Sequence, residues 1–97
     1  MPTLFILSHA PHLDPTEAKK ITFAAEGDCV LLIEDGVYAA APVPTQAAKA
    51  MEEAVARGVR VCALRPDLDA RGVRTELETV DYPGFVDLIV EYDRSVH

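Results

Sequence analysis

The side chains with the widest chemical reach are two cysteines, Cys29 and Cys62, and three histidines, His9, His12 and His97. A thiol acts as nucleophile or carrier only as an accessible thiolate with a lowered pKa. Cys29 opens the apolar run "CVLLIE" and Cys62 sits inside "VRVCAL". Both read as small hydrophobes in buried strands, where free cysteine is usually found. His9 and His12 form an H-x-x-H, but a metal site needs three or more ligands. Two imidazoles on the proline-rich loop "SHAPHLDP" fall short of that and read as solvated, so no metal and no cofactor is expected. An imidazolium can also stabilise a neighbouring thiolate, which is the sharper use for a histidine here.

A second stretch, "VLLIEDGVYAA" (30–40), begins as a run built for burial and breaks into Glu34, Asp35 and Gly36. In an open α/β sheet the carboxyl ends of strands are where ligands are met. Asp35 is placed to accept backbone N–H bonds as a helix cap. Gly36 permits close backbone approach or an unusual dihedral. Tyr38, between Val37 and Ala39, has the character of an interface residue. Asp35, Gly36, Val37 and Tyr38 are therefore the candidate loop and interface residues. No acid–base pair and no nucleophile–histidine pairing is identifiable.

The elements that must position these groups alternate. "TLFILS" (3–8), "CVLLIE" (29–34), "VRVCAL" (59–64) and "LETVD" (77–81) read as strands, the first three continuous in hydrophobicity and hence covered on both faces. Asp14 or Thr16 caps a helix over 16–26 that Gly27 closes. Pro42 and Pro44 impose a bend. Thr45 caps a helix closed by Gly58, and Pro66 and Gly72 bracket a short one. "DYPGFVDLIVEYDRS" (81–95) reads as a final helix with Phe85, Leu88, Ile89 and Tyr92 on one stripe. The expected fold is one small α/β domain over 1–97, a mostly parallel sheet with helices on both faces in flavodoxin-like layers.

The totals exclude several classes. The 97 residues carry a formal net charge of −7, with 49 % hydrophobic and 26 % charged residues. That balance is globular, and it opposes direct nucleic-acid binding, which needs clustered Lys and Arg. An anionic membrane surface is disfavoured likewise. The start lacks the basic region of a secretory signal and no segment approaches a spanning helix. Two cysteines fit free thiols in a reducing compartment, and a cytoplasmic location is expected.

"GDCVLLIEDGVYAA" (27–40), "ALRPDLDARGV" (63–73) and "VDYPGFVDLIVEY" (80–92) closely resemble the TusB/DsrH family of sulfur-relay proteins, with "TLFILSHAP" a looser match to its start. The family often has Gln where this chain has Glu34, and many members end in tryptophan where this chain ends "DRSVH". The resemblance implies a DsrE/F/H-like fold and a place in persulfide transfer. Sulfur then goes to tRNA wobble-uridine 2-thiolation or to dissimilatory oxidation. It also implies homologous partners, TusC/TusD-like or DsrE/DsrF-like, in a heterohexamer, with a homo-oligomer as the alternative for the isolated chain.

In the sulfur-carrying sister subunit a cysteine lies near the end of the strand leading into an "L.RG" helix. Laid over "VRVCALRPDLDARGV", that position is Leu64, and Cys62 lies two residues deeper on the same face. Some DsrH members carry a cysteine in the first loop or helix, and "SHAPHLDPTEAKK" has none. The expected role is an interaction subunit, non-catalytic itself. The alternative is a sulfur carrier using Cys62 or Cys29 as the persulfide site. A flavodoxin-type phosphate or flavin domain would want a richer loop than Ser8 and Thr16 provide.

Overall fold

The three longest apolar runs lie side by side at the centre of one parallel sheet. β1 (Thr3–Leu7), β2 (Cys29–Leu32) and β3 (Arg60–Leu64) are joined by β4 (Glu78–Val80) and β5 (Arg94–Val96) in the order β4-β3-β2-β1-β5. The computed structural model describes residues 2–11 and 13–97. All four residues of β2, the middle strand, are buried, as a run covered on both faces requires.

Crossover handedness decides where the helices go. α1 (Pro15–Phe23) links β1 to β2; a 3₁₀ helix (Glu34–Ala40) and α2 (Gln46–Ala56) link β2 to β3; α3 (Arg65–Arg71) links β3 to β4. Each step moves the same way across the sheet, so right-handed connections put these helices on one face. α4 (Tyr82–Glu91) returns from β4 to β5 at the far edge and therefore covers the other face.

The core divides accordingly. Leu7, Val30, Leu32, Val61 and Ala63 pack with Ile21, Met51, Ala54 and Leu68. Leu4, Ile6, Cys29, Leu31, Cys62 and Leu64 pack with Leu88, with Phe85 and Tyr92 partly buried beside them. Helices thus lie on both faces, but unequally, since α4 covers its side alone.

Caps fall largely where the side chains predict them. Asp14 Oδ1 accepts from the Thr16 amide at 3.1 Å, and Thr45 Oγ1 accepts from the Ala48 amide at 3.0 Å. Asp81 does the same for Gly84 at 2.8 Å, and Gly72 ends α3 with φ 63°.

Three expectations are corrected. α1 stops at Phe23, because Ala24 is already extended (φ −68°, ψ 138°), so Gly27 does not close it. The final helix stops at Glu91, because Tyr92 is extended (φ −95°, ψ 132°), and Arg94–Val96 joins β1 as a fifth strand. Glu34–Ala40 is a 3₁₀ helix whose N-cap, Ile33, makes no side-chain cap bond. Asp35 is therefore not a cap; its carboxylate is held by an arginine described below.

Candidate functional site

The chain leaves β1 toward β2 on one side, while β5 lies on the other. Sheets of this kind hold ligands outside the carboxyl ends of the strands, where the order changes direction. A cleft of about 450 Å³ opens there, lined by Ser8 and His9 after β1, Glu34 and Asp35 after β2, Lys20 of α1, Arg71 of α3 and the terminal His97.

Glu17 sets the first wall. It is 1 % exposed, and a buried carboxylate must be paired and hydrogen-bonded. Its Oε2 accepts from the His9 amide at 3.1 Å and its Oε1 from Lys20 Nζ at 2.6 Å, fixing the loop after β1. The second wall is the turn out of β2. The Ile33 amide donates to the Leu7 carbonyl at 2.9 Å, and the Glu34 amide donates to Asp67 Oδ2 at 2.6 Å. Glu34 has φ 49°, the one positive value among described non-glycine residues.

Gly36 then passes against β1. A Cβ there would lie 2.7 Å from the Leu7 carbonyl carbon and collide with its oxygen. Close approach, rather than an unusual dihedral, is what this glycine supplies.

Asp35 Oδ1 accepts from Arg71 Nε at 2.9 Å, and the Asp35 carboxylate holds the guanidinium above its ordinary pKa. His97 Nε2 lies 3.0 Å from Ser8 Oγ, closing the end of β5 onto the loop after β1. That contact is a serine–histidine pairing between residues 89 positions apart, which sequence reasoning missed. A serine nucleophile also needs its histidine oriented by a third group. No such partner hydrogen-bonds His97 among the described residues, and the contact serves as a clasp for the tail.

The candidate residues separate. Asp35 and Tyr38 are exposed, Tyr38 at 41 %, while Gly36 is buried and Val37 is a core side chain with no exposed area. Val37 therefore faces the layer of α1 and α2 rather than solvent. His12 lies outside the described residues. Among the rest, no three His, Cys, Asp or Glu side chains converge as a metal centre would require. Glu17, Lys20 and Arg71 were not singled out by sequence; only the family segment containing "DLDARG" hinted at Arg71.

Neither cysteine lines this cleft; both lie in the layer beneath α4. The register pairs Cys29 with Arg60 and Leu31 with Cys62, so the thiols share one face of neighbouring strands, offset by two residues. Each has no exposed area. Cys29 Sγ donates to the Val30 carbonyl at 3.8 Å. The neighbouring Cys29, and then burial, hold the Cys62 thiol far above its ordinary range. Leu64, which the family resemblance lays over the sister subunit's thiol, is the N-cap residue of α3.

A larger groove of about 1120 Å³ runs between the 3₁₀ segment, α2 and residues 74–77, with Ala40, Pro42, Val43, Met51 and Leu77 on its walls.

With this geometry in view, the chain can be compared with known proteins. The profile of the family described as DsrH like protein matches residues 10–95. Protein TusB of an Enterobacter species is 33 % identical over 93 residues, covering 92 % of this chain and 93 % of the relative. Protein TusB of Salmonella dublin is 34 % identical over 91 residues, covering 84 % and 92 %. The solution structure of protein Tm0979 from Thermotoga maritima superposes with a TM-score of 0.67 at 24 % identity, over 92 % of each chain. That likeness concerns the fold.

Proposed function

The chain belongs to the DsrH-like protein family, and on that premise we propose that it is the interaction subunit of a persulfide relay, without a sulfur-carrying thiol of its own. The observation that carries this reading is the burial of both cysteines, each with no exposed area, under α4. Each hop of such a relay is the attack of an acceptor thiolate on the outer sulfur of a donor persulfide, releasing the donor thiol. A thiol sealed in a sheet cannot be reached by either partner.

What remains for the chain is to dock and to shape the path. The exposed cleft offers two imidazoles, the Ser8 hydroxyl, and the Glu17–Lys20 and Asp35–Arg71 ion pairs. Asp35 in its lining and the exposed Tyr38, three residues on, are the contact residues for a partner in this reading. The partners in this reading are homologous subunits of TusC/TusD or DsrE/DsrF type in a heterohexamer. Similarity to proteins named TusB supports tRNA wobble-uridine 2-thiolation as the destination of the sulfur. The proposed location is the cytoplasm, where such a relay would work; no helix of the described residues is long and apolar enough to cross a membrane.

The test is reconstitution. Sulfur transfer by the partner subunits to their acceptor protein is measured with and without this chain. The reading expects transfer to depend on the chain; equal transfer in its absence contradicts it.

A further inference from the structure

α4 is apolar around more of its circumference than its contact with the sheet uses. Its inner stripe, Phe85 and Leu88, with Tyr92 just past its end, packs on the layer that holds Leu31, Cys62 and Leu64. A second stripe faces away. Tyr82, Val86 and Val90 follow at four-residue spacing, with Ile89 beside them, and are 57, 59, 79 and 42 % exposed. A surface helix of a globular chain carries one such stripe and sets charges opposite it, whereas a helix apolar all round is covered on both sides.

The charges on this helix favour one kind of cover. Asp87 and Glu91, one turn apart, fall on the same flank of the outer stripe. Glu91 reaches Arg60 at 3.7 Å, while Asp87 makes no ion pair among the described residues. A second copy is poorly suited to this face: pairing α4 with itself antiparallel about a two-fold axis would bring the two acidic flanks to the same side. Each copy would also bring a net charge of −7 to the contact. Like charges juxtaposed in this way select against a partner, and complementary ones select for it.

We propose that the outer face of α4 docks a different protein chain, one presenting an apolar surface bordered by lysine or arginine. The inference rests on the relay-subunit reading for its candidate partners, the TusC/TusD- or DsrE/DsrF-type subunits of the same cell. Tyr82, Val86, Ile89 and Val90 form the buried centre of the contact, and Asp87 forms its charged border.

The experiment co-expresses the chain with those subunits and follows the complex by sedimentation velocity, with thermal unfolding of each variant as the control for folding. Val86→Asp and Val90→Asp, both at exposed positions, are expected to melt like the parent and to weaken the complex by roughly tenfold or more. Asp87→Lys is expected to weaken it as well, and to a smaller extent at high salt. Val55→Asp, on the exposed face of α2, is expected to leave it intact. A parent complex that Val86→Asp and Val90→Asp leave unchanged, or that Val55→Asp weakens equally, overturns the α4 surface while the relay reading stands. Failure of the parent chain to bind any such subunit overturns both. A parent homodimer that Val90→Asp dissociates, or binding to anionic lipid vesicles through this face, overturns the choice of partner.

Discussion

Gly36 shows how one residue ties the candidate site to the sheet. Its missing side chain lets the turn out of β2 lie against the Leu7 carbonyl, which orders Glu34 and Asp35 at the cleft. Gly36→Ala forces that contact apart and is expected to cost about 1–3 kcal/mol, measured by urea unfolding. The same substitution at Gly27, where a Cβ meets nothing within 4 Å but φ is 93°, tests backbone strain without a clash. The thiols give a second prediction at this scale. Cys62→Ser places a hydroxyl in an apolar layer with imperfect partners and is expected to destabilise by about 1 kcal/mol. In the native protein both cysteines are expected to react slowly with an alkylating reagent near neutral pH, and in the unfolded protein rapidly. The burial of both was legible in the sequence because each sits inside an apolar run. The Asp35–Arg71 pair was not legible, since 36 positions separate its members and neither falls in a periodic pattern.

Elements were legible in proportion to their length and periodicity. β1, β2, β3 and α2 followed from continuous apolar runs, helix formers and caps. β5 did not, because its three residues are all exposed and its pairing is with the opposite end of the chain. The tail therefore read as an extension of α4, and with it the closure of the cleft by His97 was invisible. Removing residues 94–97 uncovers the edge of β1 and opens the cleft on that side. The expected outcome is a folded protein with a lower melting temperature and faster amide exchange in β1. His97→Ala alone, which loses only an exposed contact to Ser8, is expected to change stability by less than about 0.5 kcal/mol.

For the molecule as a whole, an acidic chain is held at one end by a small ionic cluster. Arg60 meets Glu78 through two bonds, Nε–Oε1 at 3.0 Å and Nη2–Oε2 at 2.6 Å, above the thiol layer. Arg60 draws the Glu78 pKa below its ordinary 4.5, against a smaller opposing effect of burial. A carboxylate with a depressed folded pKa contributes stability above its unfolded value and loses it as the pH falls through the folded one. Both side chains are about half exposed, so Glu78→Gln is expected to cost less than about 1 kcal/mol at neutral pH. That difference should vanish below the carboxylate range in paired pH titrations of stability.

The central claim is that this chain serves the relay without carrying sulfur. The most direct measurement maps persulfides by mass spectrometry on the assembled complex after incubation with its sulfur donor, using the parent chain and the Cys29→Ala/Cys62→Ala variant in parallel. The account predicts no persulfide on either cysteine of this chain and sulfur transfer by the variant complex close to that of the parent. A persulfide on Cys62 or Cys29, together with loss of transfer by a variant that still folds and assembles, would contradict it.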